Sequence, residues 1–93
     1  MTLTLERLRR SIDRIDLQLL RLLNRRAATA LRIGRLKKQQ GLPVFDGKRE
    51  ASVLQRLVRS NPGPLPADAV QRIFRQVLKL NRRLQAQPKR NRR

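Results

Sequence analysis

The segment LLRLLNRRAATALRIGRLKK, residues 19–38, lies within a long run of helical periodicity. Apolar side chains recur there every three or four positions, and no proline or glycine precedes Gly34. We predict a first helix over about residues 4–39, which would be about 50 Å long. Arg26 interrupts its apolar row, although a basic chain has ample surface for an arginine. The row consists of Leu5, Leu8, Ile12, Ile15, Leu19 and Leu22 before Arg26, and of Thr29, Ile33 and Leu36 after it.

The segment QQGLPVFDG, residues 39–47, separates the first helix from a second one. Its glycine and proline stop the first helix, and Asp46 has the side chain of a favoured N-cap. We therefore expect a short helix over about residues 47–60, ended by NPGP at residues 61–64. Its inner face would comprise Val53, Leu54, Leu57 and Val58.

A third helix is expected over about residues 66–86, and its inner row also ends in polar side chains. Asn81 and Gln85 are four residues apart and so share a face. No segment alternates like a strand, so the predicted fold is all-α, with residues 1–86 as one domain and 87–93 as a basic, disordered tail. The apolar part of the third row would be Val70, Ile73, Phe74, Val77 and Leu78.

Composition narrows the classes of function. The 93 residues include 24 basic and 6 acidic ones, for a formal charge of +18, but no cysteine, histidine, tryptophan or tyrosine. This excludes disulfides, thiol nucleophiles and imidazole catalysis, and the scattered acids suggest no metal site. Such a charge first suggests nucleic acid, but two aromatic residues offer no stacking platform. Charges throughout MTLTLERLRRSIDRID argue against a signal peptide or membrane span, which predicts a cytoplasmic protein.

Arg26 and Lys37 suggest a binding site for a small anion. They are 11 residues apart, close to three helical turns, so they share a face about 16 Å apart along the axis. Two long cationic side chains on one face can hold a ligand with carboxylates between them, and the amides of Asn81 and Gln85 are suitable further donors. Two alternatives stay open: the helix ends fray into solvent, or Arg26 pairs with an internal acid.

Four motifs, in order, resemble the all-helical bacterial chorismate mutase family over about eighty residues. They are Leu-Arg-x-x-Ile-Asp-x-Ile-Asp from residue 8, the spacing of Arg26, Gly34 and Lys37, Pro-Val-x-Asp-x-x-Arg-Glu from residue 43, and a closing Arg-Leu-Gln. The resemblance implies the Claisen rearrangement of chorismate to prephenate in phenylalanine and tyrosine biosynthesis, with no cofactor or metal. It also implies an intertwined, antiparallel homodimer of three-helix chains.

The resemblance also implies a site shared between two chains. Arg26 and Arg9 of the partner subunit would hold the two substrate carboxylates. Lys37 would contact a carboxylate and the ether oxygen, to which Gln85 would also donate, and Glu50 would accept from the substrate hydroxyl. The sequence independently favours sharing, because Arg9 and Lys37 are 28 residues apart, or about 42 Å, on a single helix.

Three further residues complete the implied site. The backbone at Asp46 would assist Glu50, and Arg49 and Asn81 would complete the carboxylate environment, although many relatives have serine in place of Asn81. Each residue has a purely structural alternative, with Asp46 as a helix cap, Arg49 as a surface side chain and Glu50 as a complement to a helix N-terminus.

Other functions remain in view. A lyase of the same fold that acts on isochorismate is the nearest alternative, although the intact Asp46-x-x-Arg49-Glu50 segment favours the mutase. A basic helical protein that binds nucleic acid or serves as a scaffold is an alternative of another class. Action together with a partner enzyme of aromatic biosynthesis is a further alternative. Because eight residues follow Gln85, we expect no fused domain and no feedback site.

Overall fold

The computed structural model describes residues 3–87, which form three α-helices joined by short loops. Helix α1 spans Leu5–Gln39, α2 spans Gly47–Ser60 and α3 spans Ala67–Ala86. No strand occurs in the described part of the chain. The predicted all-α fold is therefore confirmed, with each predicted helix boundary within a residue of the observed one. The predicted basic tail, from residue 88 onward, lies outside the described residues.

Local side-chain and backbone contacts define the helix ends. The side chain of Thr4 caps α1 and that of Asp46 caps α2, each accepting a hydrogen bond from a backbone N–H three residues later. At the end of α1, Gly41 has a φ of 69°, a left-handed conformation that favours glycine. The N–H of Leu42 then donates to the carbonyl of Lys37 at 2.8 Å, which closes the last turn. The loop that follows thus leaves α1 in a defined direction.

Helix α3 lies between the other two helices, and α1 and α2 each pack on it. Contacts join residue 26 to residue 81 and residue 30 to residue 85, so α1 and α3 run in the same direction where they meet. Residue 50, near the start of α2, contacts residue 82, near the end of α3. Because α2 packs along α3 from that point, it runs in the opposite direction. The C-terminal ends of α1 and α3 therefore meet the N-terminal end of α2.

The core of the single chain is small. Ala30, Val70 and Leu78 are its buried apolar side chains among the described residues, and Asn81 is buried with them. The predicted inner face of α2 is half-buried, at Val53, Leu54, Leu57 and Val58. The expectation that Ile73 faces inward is wrong for the single chain, where its exposed fraction is 48%.

The first two-thirds of α1 extend beyond the packed region with their apolar row uncovered. The six side chains from Leu5 to Leu22 in that row are each between 49% and 62% exposed, and the molecule is 15 Å thick along its shortest axis. A contiguous apolar surface of this length is typical of an interface. No helix in residues 3–87 has the length and apolar character required to cross a bilayer. The intertwined homodimer, which would cover the row, stays a prediction.

Candidate active site

A cavity of about 400 Å³ lies at the end of the molecule where the three helices meet. Residues of all three helices and of the loop before α2 line it. Seven of the eight residues predicted for the site line this cavity, and Arg9, which is exposed near the start of α1, does not. The seven are Arg26, Lys37, Asp46, Arg49, Glu50, Asn81 and Gln85.

Arg26 and Asn81, the polar residues that interrupt the apolar rows of α1 and α3, contact each other. Nη1 of Arg26 donates a hydrogen bond to Oδ1 of Asn81, whose side chain is buried. This contact stabilises a polar group in the core, where an unpaired amide would be costly. Among residues 3–87, no carboxylate forms an ion pair with Arg26, so the alternative of an internal acidic partner is wrong. The half-buried guanidinium therefore brings an uncompensated charge to the cavity.

Gln85 is held where α1 and α3 approach each other closely. Its Nε2 donates to the backbone carbonyl of Ala30 at 2.8 Å. A Cβ atom placed on Gly34 would lie 3.1 Å from Cβ and 3.3 Å from Cα of Gln85, so only glycine allows this spacing without a shift. The amide nitrogen carries two hydrogens, and the second remains for an acceptor in the cavity. Gly34 thus fixes where Gln85 lies.

Lys37 reaches the cavity from the last turn of α1. Its ammonium group donates to the backbone carbonyl of Val44 at 3.0 Å, which ties the loop before α2 to α1. An ammonium group has three donors, so two remain for a ligand. The same loop ends at Asp46, which lines the cavity together with Arg49 in the first turn of α2. The cap interpretation of Asp46 is confirmed, because its carboxylate accepts from the backbone N–H of Arg49 at 3.0 Å.

Arg82 lines the cavity but was not predicted from the sequence. Its Nη1 donates to both carboxylate oxygens of Glu50, at 2.7 Å each. The only local signal is its position between Asn81 and Gln85 on α3, which does not distinguish it from Arg83. In a chain with 24 basic residues, Arg82 can be recognised as a site residue only from its contact with Glu50, which joins α3 to α2.

The cavity combines positive charge with apolar walls. Four basic side chains and two acidic ones line it, for a net charge of +2. Partial burial between helices strengthens such charges relative to bulk water. The arrangement therefore suits a small dianion with an apolar body. The apolar part of the wall is formed by Ala30, Ile33, Val44, Val53 and Leu78.

Comparison with known proteins agrees with this geometry. The family model described as chorismate mutase type II matches residues 8–86. The chain belongs to this family. The resemblance inferred from the four motifs is thereby confirmed, and chorismate mutase is favoured over an isochorismate lyase and over a basic nucleic-acid-binding or scaffold protein.

Relatives and a solved structure extend the match. The chain is 40% identical over 78 residues to the bifunctional chorismate mutase/prephenate dehydratase of Aquifex aeolicus, covering 80% of this chain and 22% of that protein. It is 47% identical over 70 residues to the protein of the same name from Neisseria gonorrhoeae, covering 75% of this chain and 19% of that protein. The chain thus spans about a fifth of the length of these relatives. A chorismate mutase from Thermus thermophilus superposes with a TM-score of 0.87 at 35% identity, covering 91% of this chain and 97% of that one.

We predict that Gly34→Ala lowers activity, because the added methyl group displaces Gln85. Overpacking costs about 1–3 kcal/mol, which exceeds the gain of up to about 1 kcal/mol in helix propensity. The displacement of a few tenths of an ångström reduces kcat about tenfold. Steady-state kinetics and urea unfolding measure the two effects. Arg35→Ala, at an exposed position on the same helix, is the control and keeps both values near those of the wild type. An unchanged kcat in Gly34→Ala would contradict the prediction.

Proposed function

We propose that this chain catalyses the rearrangement of chorismate to prephenate. The proposal is carried by one observation, a cavity of net charge +2 lined by seven of the eight family site residues. In this reaction the ether C–O bond breaks while a C–C bond forms within the same molecule. No proton is transferred and no cofactor takes part, so catalysis consists of holding the reactive conformer and stabilising charge on the ether oxygen.

Charge complementarity supports the binding roles that we propose. Arg26, supported by Asn81, binds one carboxylate of the dianion, and Arg49 adds positive charge at the edge of the cavity. Lys37 binds a carboxylate and the ether oxygen through the ammonium hydrogens that Val44 does not use. These contacts select the compact conformer in which the two reacting carbons lie together.

The neutral amide of Gln85 and the carboxylate of Glu50 complete the proposed mechanism. The second amide hydrogen of Gln85 donates to the ether oxygen, where negative charge increases as the C–O bond breaks. Glu50 accepts from the substrate hydroxyl, and the backbone at Asp46 assists it. Gln85 and Glu50 are held by contacts within the chain, with Ala30 and Arg82 respectively. This preorganisation lowers the cost of ordering the site during the reaction.

We further propose that the active unit is an intertwined antiparallel homodimer. The uncovered apolar row of α1 and the small core of the single chain support a second copy as the covering partner. In such a dimer, Arg9 of the partner subunit supplies the last cation of each site. We also propose a cytoplasmic location, in keeping with a biosynthetic family. Cooperation with a separate enzyme of aromatic biosynthesis stays an open proposal, which the fused prephenate dehydratase of the two relatives makes reasonable.

The direct test of the proposed activity uses purified protein and chorismate. We expect ultraviolet absorbance of chorismate to fall while prephenate accumulates, without added metal or cofactor. Matched assays contain isochorismate in place of chorismate. A folded protein that leaves chorismate unchanged would disprove the proposed activity, and pyruvate release from isochorismate alone would identify a lyase instead.

The shared site is tested by mixing two inactive variants. Arg9→Ala removes the residue donated to the partner, and Lys37→Ala removes a residue used within the same chain. If the chains exchange randomly, half of the dimers are mixed and each has one intact site, so about a quarter of wild-type activity returns. Each variant mixed with itself is the control. Failure to regain activity after verified exchange of chains would mean that Arg9 does not act across the dimer.

The role of Gln85 is tested by the pH dependence of Gln85→Glu. A protonated carboxyl group can donate to the ether oxygen, whereas an ionised one repels it. The pKa of glutamate is ordinarily about 4.3, so the variant should be active on the acidic side and lose activity as pH rises through the pKa of the introduced group. The wild type, with an amide at this position, should not show this loss. A variant whose activity is independent of pH would remove Gln85 from this role.

A further inference from the structure

Arg82 connects three parts of the cavity wall. It extends from α3, forms an ion pair with Glu50 in the first turn of α2, and lies over Phe45 in the preceding loop. Its guanidinium carbon is 4.9 Å from the centroid of the Phe45 ring, a distance typical of a cation–π contact. A Cβ atom on Gly47 would lie 3.3 Å from this ring, so the ring also covers the first turn of α2.

The contact is better shielded than an ordinary surface ion pair. The side chains of Arg82 and Glu50 are 33% and 25% exposed, and both line the cavity. A single nitrogen, Nη1, donates to both carboxylate oxygens at 2.7 Å, so neither oxygen can rotate away without losing a hydrogen bond. Exposed pairs contribute little, but charge-assisted bonds in a partly buried site restrict a carboxylate effectively.

The surrounding charges explain why Glu50 needs this restraint. Arg26, Lys37 and Arg49 line the same cavity, and each is attractive to a carboxylate. A mobile Glu50 would therefore compete with the carboxylates of a dianionic ligand for these cations. Arg82 pairs with Glu50 and so leaves Arg26, Lys37 and Arg49 available to the carboxylates of the ligand. Each carboxylate oxygen accepts two hydrogen bonds, so a lone pair remains on each for a ligand hydroxyl.

We propose that Arg82 is a positioning residue, which holds Glu50 toward the substrate hydroxyl and keeps it from occupying the cations that bind the substrate carboxylates. This inference rests on the proposed chorismate mutase activity. Arg82 acts through Glu50 and does not itself bind the dianion. Phe45 supports it by covering one face of the guanidinium, which shields the ion pair from water.

The test is a double-mutant cycle of Arg82→Met and Glu50→Gln, assayed with chorismate. In the otherwise wild-type chain, Arg82→Met should raise KM and lower kcat/KM about tenfold, because the released carboxylate competes with substrate. In the Glu50→Gln background, the same change should alter kcat/KM less than about twofold, because a neutral amide does not compete. Arg82→Lys, which keeps one charged donor, should restore part of the loss.

Arg83→Met is the matched control, because it removes an equal charge from the neighbouring, exposed position of α3. It should change kcat/KM less than about twofold, which separates a local effect from general attraction of the dianion. Circular dichroism and thermal unfolding at one protein concentration verify the fold of each variant. If Arg82→Met does not fold, the cycle is measured with Arg82→Lys.

Several outcomes would overturn the role of Arg82 while the proposed activity stands. If Arg82→Met lowered kcat/KM by the same factor with Glu50 and with Gln at that position, Arg82 would bind the dianion directly and not act through Glu50. Equal losses in Arg82→Met and Arg83→Met would indicate only long-range attraction, and an unchanged KM in Arg82→Met would remove the competition argument. A folded wild type without turnover would instead overturn the proposed activity, and the role of Arg82 with it.

Discussion

The close approach of α1 to α3 at Gly34 is the contact on which the cavity depends. Because Gly34 has no Cβ, Gln85 can pack against the backbone of α1 and donate to the carbonyl of Ala30. One helical turn earlier, the same approach pairs Arg26 with Asn81. Any larger side chain at residue 34 would separate the helices, and both polar contacts would lengthen together. The absence of a side chain at Gly34 thus allows the contacts that place Arg26 and Gln85 at the cavity.

The positive charge of the cavity is smaller than the charge of the whole chain suggests, because acidic side chains also line it. The chain carries a formal charge of +18, but its cavity has a net charge of +2, because Asp46 and Glu50 offset two of four cations. Each acid has a fixed partner, since Asp46 caps α2 and Glu50 pairs with Arg82. The cations can therefore attract a dianion, while the acids stay in place. The excess charge elsewhere has no structural explanation in the described part of the chain.

The extended shape of the chain follows from a mismatch in helix length. Helix α1 has 35 residues, against 14 in α2 and 20 in α3, so the shorter helices cannot cover its apolar row. The uncovered first two-thirds of α1 also carry Arg9, far from the cavity of its own chain. The same segment therefore provides both the surface for a second copy and a cation for the partner's site in the proposed dimer. Stability and activity would then depend on the same association.

Local pattern alone predicts the three helices, their ends and the polar breaks at Arg26 and Asn81, because periodicity, caps and breakers act over a few residues. The motifs add the family, and with it seven residues that line the cavity. The ion pair of Arg82 with Glu50, the exposure of Ile73 and the pairing of Arg26 with Asn81 emerge only in the folded chain. Each depends on distances between helices, which side-chain packing sets. For the Arg26–Asn81 pair, the two residues are more than 50 positions apart in the sequence, beyond the reach of any local pattern.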